Sequence, residues 1–254
     1  METSNYHPEE YWSEVGKRIE ERKGKNVVAG DDEPYYRYKR EEFLKLLKEV
    51  DFKDKSVLEI GNGPGGNLVE IYKLNPSRLV GVDISEKMVK LAKEKVSKEV
   101  EVIKIDGKSL PFKDKEFDIV FTATVLQHNT DEDMLKKLVK ELSRVSKSRV
   151  ILFERVETEI EGDELCQGRP VEYYETLLKE SGFKLESTKY INIRVSYYVS
   201  GIIRKGLNRR DRKEGERLNF VSEVLQTITL PITRILDKVI KSNKDICRIE
   251  FVRE

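Results

Sequence analysis

Hydrophobic residues between Ser56 and Phe153 alternate between short β-branched runs and longer segments with apolar residues at helical spacing. This alternation is typical of βαβ units around a parallel sheet. Later in the chain, further β-branched or alternating segments predict two more strands. The fold class we expect is α/β, with a doubly wound, mostly parallel sheet. Its seven strands are predicted at residues 56–60, 78–83, 101–106, 117–123, 149–153, 184–194 and 245–252.

Helix start signals separate these strands. Thr130 followed by Asp133 has the form of a capping box before an apolar stripe that ends near Val145. Ser85 can cap another helix. A third helix is predicted over Val171–Glu180, with Pro170 before it and Gly182 in a left-handed conformation after it.

Two regions lie outside the alternation, which divides the chain into three parts. Residues 1–50 are predicted to form a helical lid, residues 51–194 and 245–254 the core, and residues 195–244 a helical cap insert. The insert carries an apolar stripe at helical spacing that most often indicates core packing, although a membrane-surface helix or the roof of a lipid pocket stays open. The stripe comprises Val221, Val224, Leu225, Ile228, Ile232, Ile235, Leu236 and Val239.

Composition and charge narrow the class of protein. The 254 residues include 48 Lys and Arg, 47 Asp and Glu and 38% hydrophobic residues, which indicates a folded protein rather than a uniformly basic nucleic-acid binder. Residues 201–217 nevertheless hold seven basic and three acidic residues. Two cysteines without a CxxC predict no metal site. No leader or membrane-spanning apolar run is visible, so we expect a cytoplasmic protein, and the Lys and Glu bias is one reported for heat-adapted proteins.

The segment Val57–Asn67 is the most informative for function. Gly61, Gly63 and Gly66 match GxGxxG, a pattern that is weak evidence alone but allows a sharp turn against a ligand. Asp83 ends the second strand, where its carboxylate can accept both hydroxyls of a ribose. Glu59 precedes the turn and would repel a diphosphate while attracting an amine. These carboxylates disfavour a nicotinamide cofactor.

At these residues the chain resembles the class I S-adenosylmethionine-dependent methyltransferases, in particular their small-molecule branch. Glu59-x-Gly61-x-Gly63-x-Gly65 is similar to that family's first motif, and Asp106-Gly107 to the position that meets the adenine amine. The resemblance implies S-adenosylmethionine as cofactor and strand order 3-2-1-4-5-7-6 with the last strand antiparallel. The implied cofactor contacts are Glu59, Gly61, Asn62, Gly63, Gly65, Asp83, Ile84, Met88, Asp106, Gly107, Thr122, Gln127, Tyr36 and Tyr38.

Catalysis of methyl transfer comes mainly from alignment, so a base is optional. His128 is the candidate proton acceptor, with a structural role as its alternative. Glu154 and Arg155 either orient a polar substrate or are ordinary charged positions, and Cys166 is interpreted as structural. The aromatic residues of the lid either cover the cofactor or pack between helices, and packing is favoured for Trp12 over Tyr36 and Tyr38; they are Tyr11, Trp12, Tyr35, Tyr36 and Tyr38.

We therefore expect a methyltransferase for a small-molecule acceptor that is lipid-like or anionic. Three rivals remain: an RNA or protein methyltransferase that uses the basic insert, a non-catalytic S-adenosylmethionine-binding protein, and a nicotinamide-dependent oxidoreductase. Nucleic acid is not the expected partner, and peripheral membrane contact through residues 201–240 stays open.

Overall fold

The computed structural model describes residues 7–21, 33–213 and 216–254. Part of the predicted lid and Glu214 of the basic insert lie outside these ranges. The main sheet contains β1 Ser56–Ile60, β2 Arg78–Asp83, β3 Glu101–Lys104, β4 Phe117–Ala123, β5 Ser146–Val156, β6 Phe183–Tyr190 and β7 Asp245–Arg253. The helices are α1 Pro8–Glu21, α2 Pro34–Lys48, α3 Gly66–Tyr72, α4 Glu86–Lys93, α5 Glu132–Val145, α6 Val171–Lys179, α7 Arg194–Leu207 and α8 Phe220–Val239.

The sheet has the expected order 3-2-1-4-5-7-6. Strands β1 to β5 run parallel, and β7 runs antiparallel to both β5 and β6. The predicted fold class, strand order and antiparallel last strand are therefore confirmed. A minor hairpin that was not predicted pairs Glu161–Gly162 with Gln167–Gly168.

Alternate residues of the central strands enter two separate cores, one on each face of the sheet. Val57 of β1 belongs to the core that contains Phe153 and residues of α2 and α3. Leu58, its neighbour, belongs to the core that contains Leu142 of α5 and residues of α6. Burial on both faces explains why β1 and β2 are nearly continuous apolar runs.

Several predicted boundaries need correction. The strand β3 ends at Lys104, β5 extends on both sides of residues 149–153, and β6 ends at Tyr190 because the chain enters α7 at Arg194. The capping box at Thr130 is wrong, since Asp131 caps α5 by accepting a hydrogen bond from the Met134 amide at 2.9 Å.

Other local signals hold. Ser85 caps α4, and its hydroxyl accepts from the amide of Met88 at 3.2 Å. Gly182 has a φ of 77°, the left-handed conformation expected after α6. These two signals depend only on neighbouring residues, which is why the sequence predicts them well.

The insert forms a helical hairpin, α7 and α8, that also contacts α2. The side of α8 that faces the protein is polar, whereas its apolar stripe is exposed to solvent. The expectation that this stripe packs in the core is therefore wrong. The reason is that α7 offers a polar face: Asp237 of α8 accepts hydrogen bonds from the Val195 amide at 2.7 Å and the Ser196 hydroxyl at 2.5 Å.

The described helices of the N-terminal region pack on different parts of the molecule. In α1, Val15 and Ile19 contact Met88 and Leu91 of α4, while α2 lies against the insert. None of the helices in the described ranges has both the length and the apolar character that crossing a membrane requires.

Candidate active site

A cavity of about 620 Å³ opens at the carboxyl ends of β1, β2 and β4, below α1, α2 and the insert. This is the place where strand order reverses and where open α/β sheets bind ligands. The cavity brings together most of the residues singled out in the sequence. They are Tyr36, Glu59, Gly61, Asn62, Gly63, Asp83, Ile84, Met88, Gly107, Gln127 and His128.

The glycine turn after β1 passes close to the loop after β4. Gly61 has a φ of 72°, and a Cβ there would lie 2.3 Å from a methyl of Val125. Gly63 also has a positive φ, 51°, and its amide donates to the Asp83 carboxylate at 2.9 Å. Both glycines therefore allow the backbone to turn with a positive φ, and at Gly61 a side chain would also collide with Val125.

Asp83 lies at the end of β2 and is buried. Its two oxygens accept one backbone hydrogen bond each, from Gly63 at 2.9 Å and from Ser85 at 2.8 Å. Burial raises the pKa of Asp83 to about 6, and these amides oppose the rise. Since a carboxylate oxygen has two lone pairs, each oxygen can still accept a ligand hydroxyl.

Glu59 is also buried but only partly satisfied. Its Oε1 accepts a hydrogen bond from the side-chain amide of Asn67 at 2.6 Å. The side-chain oxygen of Asn67 in turn accepts from Arg40 of α2 at 2.5 Å. Its Oε2 is buried with no hydrogen-bond partner among the described residues. Burial raises the pKa of Glu59 to about 8, opposed by Asn67 and Arg40.

A lone buried carboxylate oxygen that faces a cavity is the chemistry that suits a cationic amine. The residues present therefore fit the ammonium group of S-adenosylmethionine, while the hydroxyl-accepting Asp83 fits a ribose. Beyond Asp83 the lining turns apolar, with Ile84, Met88 and Ile105 beside Gly107. This slot suits the face of a flat ring.

Four predicted contacts do not line the cavity. Gly65 is the N-cap residue of α3, and Asp106 is exposed and accepts from the amides of Lys108 and Ser109. Thr122 donates to Glu154, and Tyr38 packs under the Arg234 guanidinium, which lies 4.5 Å from its ring. Trp12, for which packing was favoured, packs against the cluster of α1 and α4 and also lines the cavity.

Glu154 is buried below the loop that follows β4 and does not reach the cavity. It accepts hydrogen bonds from the Thr122 hydroxyl at 2.8 Å and from the amides of Val125 and Gln127, both at 3.1 Å. Arg169, fully buried on the other side, donates to the carbonyls of Leu126 and Asn129. Glu154 is therefore not a substrate contact in this structure. It positions the loop that follows β4.

The neighbouring Arg155 also stays out of the cavity, because it pairs with Glu157 at 2.9 Å. Cys166 lines the cavity, and burial raises the pKa of its thiol, while Arg155 opposes the rise. This thiol is thus a weak nucleophile.

His128 lies at the cavity end of the same loop. Its Nδ1 is 2.8 Å from the Leu165 carbonyl, and because a carbonyl only accepts, Nδ1 must donate. The neutral ring then has an unprotonated Nε2, which lies 3.2 Å from the Gln127 amide nitrogen. Trp12 packs edge-on against the imidazole with ring centroids 5.0 Å apart. His128 is therefore held in the tautomer whose unprotonated Nε2 accepts a hydrogen bond from the Gln127 side-chain amide.

The outer wall of the cavity is cationic, and the motifs did not indicate it. Arg204 and Arg212 come from the insert, and Arg212 pairs with Glu33 at 2.5 Å. Arg204 lies over the Tyr36 ring at 5.6 Å and donates to its hydroxyl at 3.1 Å. The contributions from α2 are Lys39, which pairs with Asp245 at 2.9 Å, and Arg40.

Comparison with known proteins indicates that part of this chain is similar to methyltransferases. Residues 57–149 match the family model described as a methyltransferase domain. Norajmaline N-methyltransferase of Rauvolfia serpentina is 32% identical over 41% of this chain and 36% of its own length. Demethylmenaquinone methyltransferase of Bacteroides fragilis is 31% identical over 38% of this chain and 41% of its own length. The chain thus spans only about two fifths of the length of these curated relatives.

The solved structure of magnesium protoporphyrin IX methyltransferase from Synechocystis, with bound S-adenosylhomocysteine, has a TM-score of 0.62 at 16% identity. The match covers 97% of this chain and 98% of that one, so the likeness in fold is not confined to residues 57–149. The sheet has the strand order of the class I methyltransferase fold, and residues 57–149 match a methyltransferase domain. Proteins of this class use S-adenosylmethionine as the methyl donor.

Proposed function

We propose that this chain is an S-adenosylmethionine-dependent methyltransferase that acts on an anionic small molecule. The observation that carries the proposal is the unpartnered Oε2 of Glu59, buried beside Asp83 in the cavity at the switch point of the sheet. A cationic ligand with a hydroxylated sugar satisfies both carboxylates, whereas a dinucleotide would bring its diphosphate against them.

The described residues divide the cofactor between them. Glu59, held by Asn67, receives the ammonium group, and Asp83 accepts the ribose hydroxyls. Ile84, Met88 and Gly107 enclose the adenine. When bound, S-adenosylmethionine supplies a methyl group that is already activated by its sulfonium charge.

The acceptor site lies on the side of the cavity opposite the adenine slot. Four cationic side chains line it, Lys39, Arg40, Arg204 and Arg212, against two carboxylates, since Glu33 pairs with Arg212 and Asp245 with Lys39. This balance favours an acceptor that carries a carboxylate or a phosphate. His128 Nε2 can take the proton of an acceptor hydroxyl or amine, whereas a carboxylate acceptor needs no base.

Cofactor specificity is tested by thermal-shift titration of the full chain. S-adenosylmethionine and S-adenosylhomocysteine should each raise Tm in a concentration-dependent way, and NAD should not, because only a ligand of the native state stabilises it. A shift with NAD alone would overturn the proposal in favour of an oxidoreductase.

The acceptor is sought by incubating the protein with methyl-labelled S-adenosylmethionine and a fractionated cell extract. We expect label in small molecules that an anion-exchange resin retains. Label in RNA or protein would instead support the rival that uses the basic insert. Binding without transfer to any fraction would support a non-catalytic binding protein.

A further inference from the structure

The exposed side of α8 is a continuous apolar surface, which we call the α8 outer face. Its side chains are far more exposed than large hydrophobic residues usually are, with Phe220 at 77%, Ile228 and Ile235 at 63% each and Val239 at 75%. Exposed patches of this kind mark interaction sites. The face consists of Phe220, Val221, Val224, Leu225, Ile228, Ile232, Ile235, Leu236 and Val239.

The orientation of α8 is held by polar contacts rather than by apolar packing. On its inner side, Thr233 and Asp237 hydrogen-bond with Ser196 of α7. Gln226 accepts from the amide of Tyr35, and Ser222 accepts from Asn208. Rotating the helix to bury the apolar side would break all of these bonds, so the protein keeps its outer face directed at its surroundings.

Basic residues stand at both ends of the α8 outer face. Arg210, Lys213 and Arg217 precede the helix, and Lys238 and Lys241 lie at its other end. All five are exposed and form no ion pair with any of the described residues. The exposed acidic groups near them are fewer, and two of them are already paired. They are Glu216, Glu223, Asp211, which pairs with Arg209 at 2.6 Å, and Glu14, which lies near Lys213 but pairs with Lys17.

This charge pattern distinguishes between occupants. A second copy of the chain, paired through the same face, would place basic ends against basic ends in either helix orientation, because a two-fold interface repeats one patch on itself. An anionic bilayer has a complementary arrangement, because its negative headgroups attract the basic residues and its acyl chains accept the apolar side chains.

We propose that the α8 outer face docks the protein on the surface of an anionic lipid bilayer. The helix lies in the plane of the interface, with its apolar side chains about 5–10 Å into the headgroup and acyl boundary. The basic residues at its two ends contact the headgroups. This docking is independent of the methyl-transfer proposal, since it needs neither the cofactor nor activity.

Co-sedimentation of the full chain with lipid vesicles tests the docking. We expect the protein to bind vesicles of phosphatidylcholine mixed with phosphatidylserine at least about tenfold better than vesicles of phosphatidylcholine alone, because each basic residue near an anionic surface contributes about 1 kcal/mol. High salt should remove most of this preference.

Matched variants separate the apolar face from general charge effects. Ile228→Glu should reduce binding to the mixed vesicles at least about tenfold, since it puts a charge into the apolar boundary. Thr227→Glu adds the same charge to an exposed neighbour outside the apolar stripe and should cause a several-fold smaller loss. The neutral double change Ile228→Ser with Ile235→Ser should also weaken binding, and Tm confirms that each variant is folded.

Three outcomes would overturn the proposal. One is no binding to either vesicle, and another is equal binding to both. The third is a concentration-dependent dimer in solution that Ile228→Glu disrupts, together with no binding of the wild-type chain to vesicles. That result would assign the α8 outer face to a second copy of the chain.

Discussion

The cavity floor and the contact between α7 and α8 both bury polar side chains, but they satisfy them differently. In the helix pair, both carboxylate oxygens of Asp237 accept hydrogen bonds from α7. In the floor, Glu59 keeps one buried oxygen with no partner among the described residues. An unpaired buried polar group costs free energy. The fully bonded Asp237 therefore holds α7 and α8 together, whereas the unpaired oxygen of Glu59 can be satisfied by a bound ligand.

The largest expected effect is on the cofactor side of this comparison. Asp83→Ala should weaken S-adenosylmethionine binding by about 100-fold or more, because two hydrogen bonds to a charged group are lost at about 1.5–3 kcal/mol each. Isothermal titration calorimetry measures the change. Asp237→Ala is the matched control and should leave the affinity unaltered. An equal loss in both variants would show that the distinction between the two regions is false.

Asp237→Ala should instead act on stability. It leaves the backbone amides of Val195 and Ser196 without their acceptor, at about 1–3 kcal/mol each. Chemical denaturation should therefore show an unfolding free energy lower by about 2–4 kcal/mol. Loss of less than about 0.5 kcal/mol would mean that polar contacts do not orient α8.

Glu59 should make cofactor binding depend on pH. Its pKa is raised by burial to about 8 from an ordinary value of 4.5, so the ligand-free folded state holds a proton that the unfolded state has lost. Stability of the ligand-free protein should therefore fall as pH rises from 4.5 towards about 8.

The ammonium group of the cofactor favours the ionised carboxylate, so binding releases this proton. Between pH 6 and about pH 7, affinity should rise with pH by at most about tenfold per unit. Calorimetry in two buffers of different ionisation enthalpy detects the released proton. Glu59→Gln should flatten the profile, and an unchanged slope in that variant would assign the proton to another group.

The smallest effect is expected on the α8 outer face. Ile235→Glu should change the unfolding free energy by no more than about 0.5 kcal/mol, as is usual for exposed positions. Leu142→Glu, in the buried stripe of α5, is its counterpart and should destabilise the protein by several kcal/mol or prevent folding. Thermal unfolding compares the two, and similar losses would contradict the exposure of the α8 stripe.

The same two helices show the limit of hydrophobic periodicity. The stripes of α5 and α8 predict two amphipathic helices, and both form. In α5 the apolar residues Leu135, Val139 and Leu142 are buried, whereas in α8 the corresponding stripe is exposed. Periodicity places residues on one face, but the neighbouring surface decides where that face points.

The cofactor site also contains residues whose direction follows from local sequence and residues whose direction does not. Gly61, Gly63 and Asp83 line the cavity, because a strand end and the turn after it determine their directions. Asp106 was expected beside the adenine but accepts hydrogen bonds from its own loop. Tyr38 was expected to contact the cofactor but packs under Arg234. These two directions depend on contacts beyond the local pattern.

The sequence by itself determined the seven strands in outline, the glycine turn and the carboxylates of the cofactor half, since these depend on alternation and on residues a few positions apart. Tertiary structure alone decided the cationic outer wall from α2 and the insert, the burial of Glu154 and Arg169 around the loop after β4, and the exposed face of α8. All three features depend on contacts between segments that are far apart in the chain. Only the packed structure shows which polar groups form hydrogen bonds or ion pairs across those contacts.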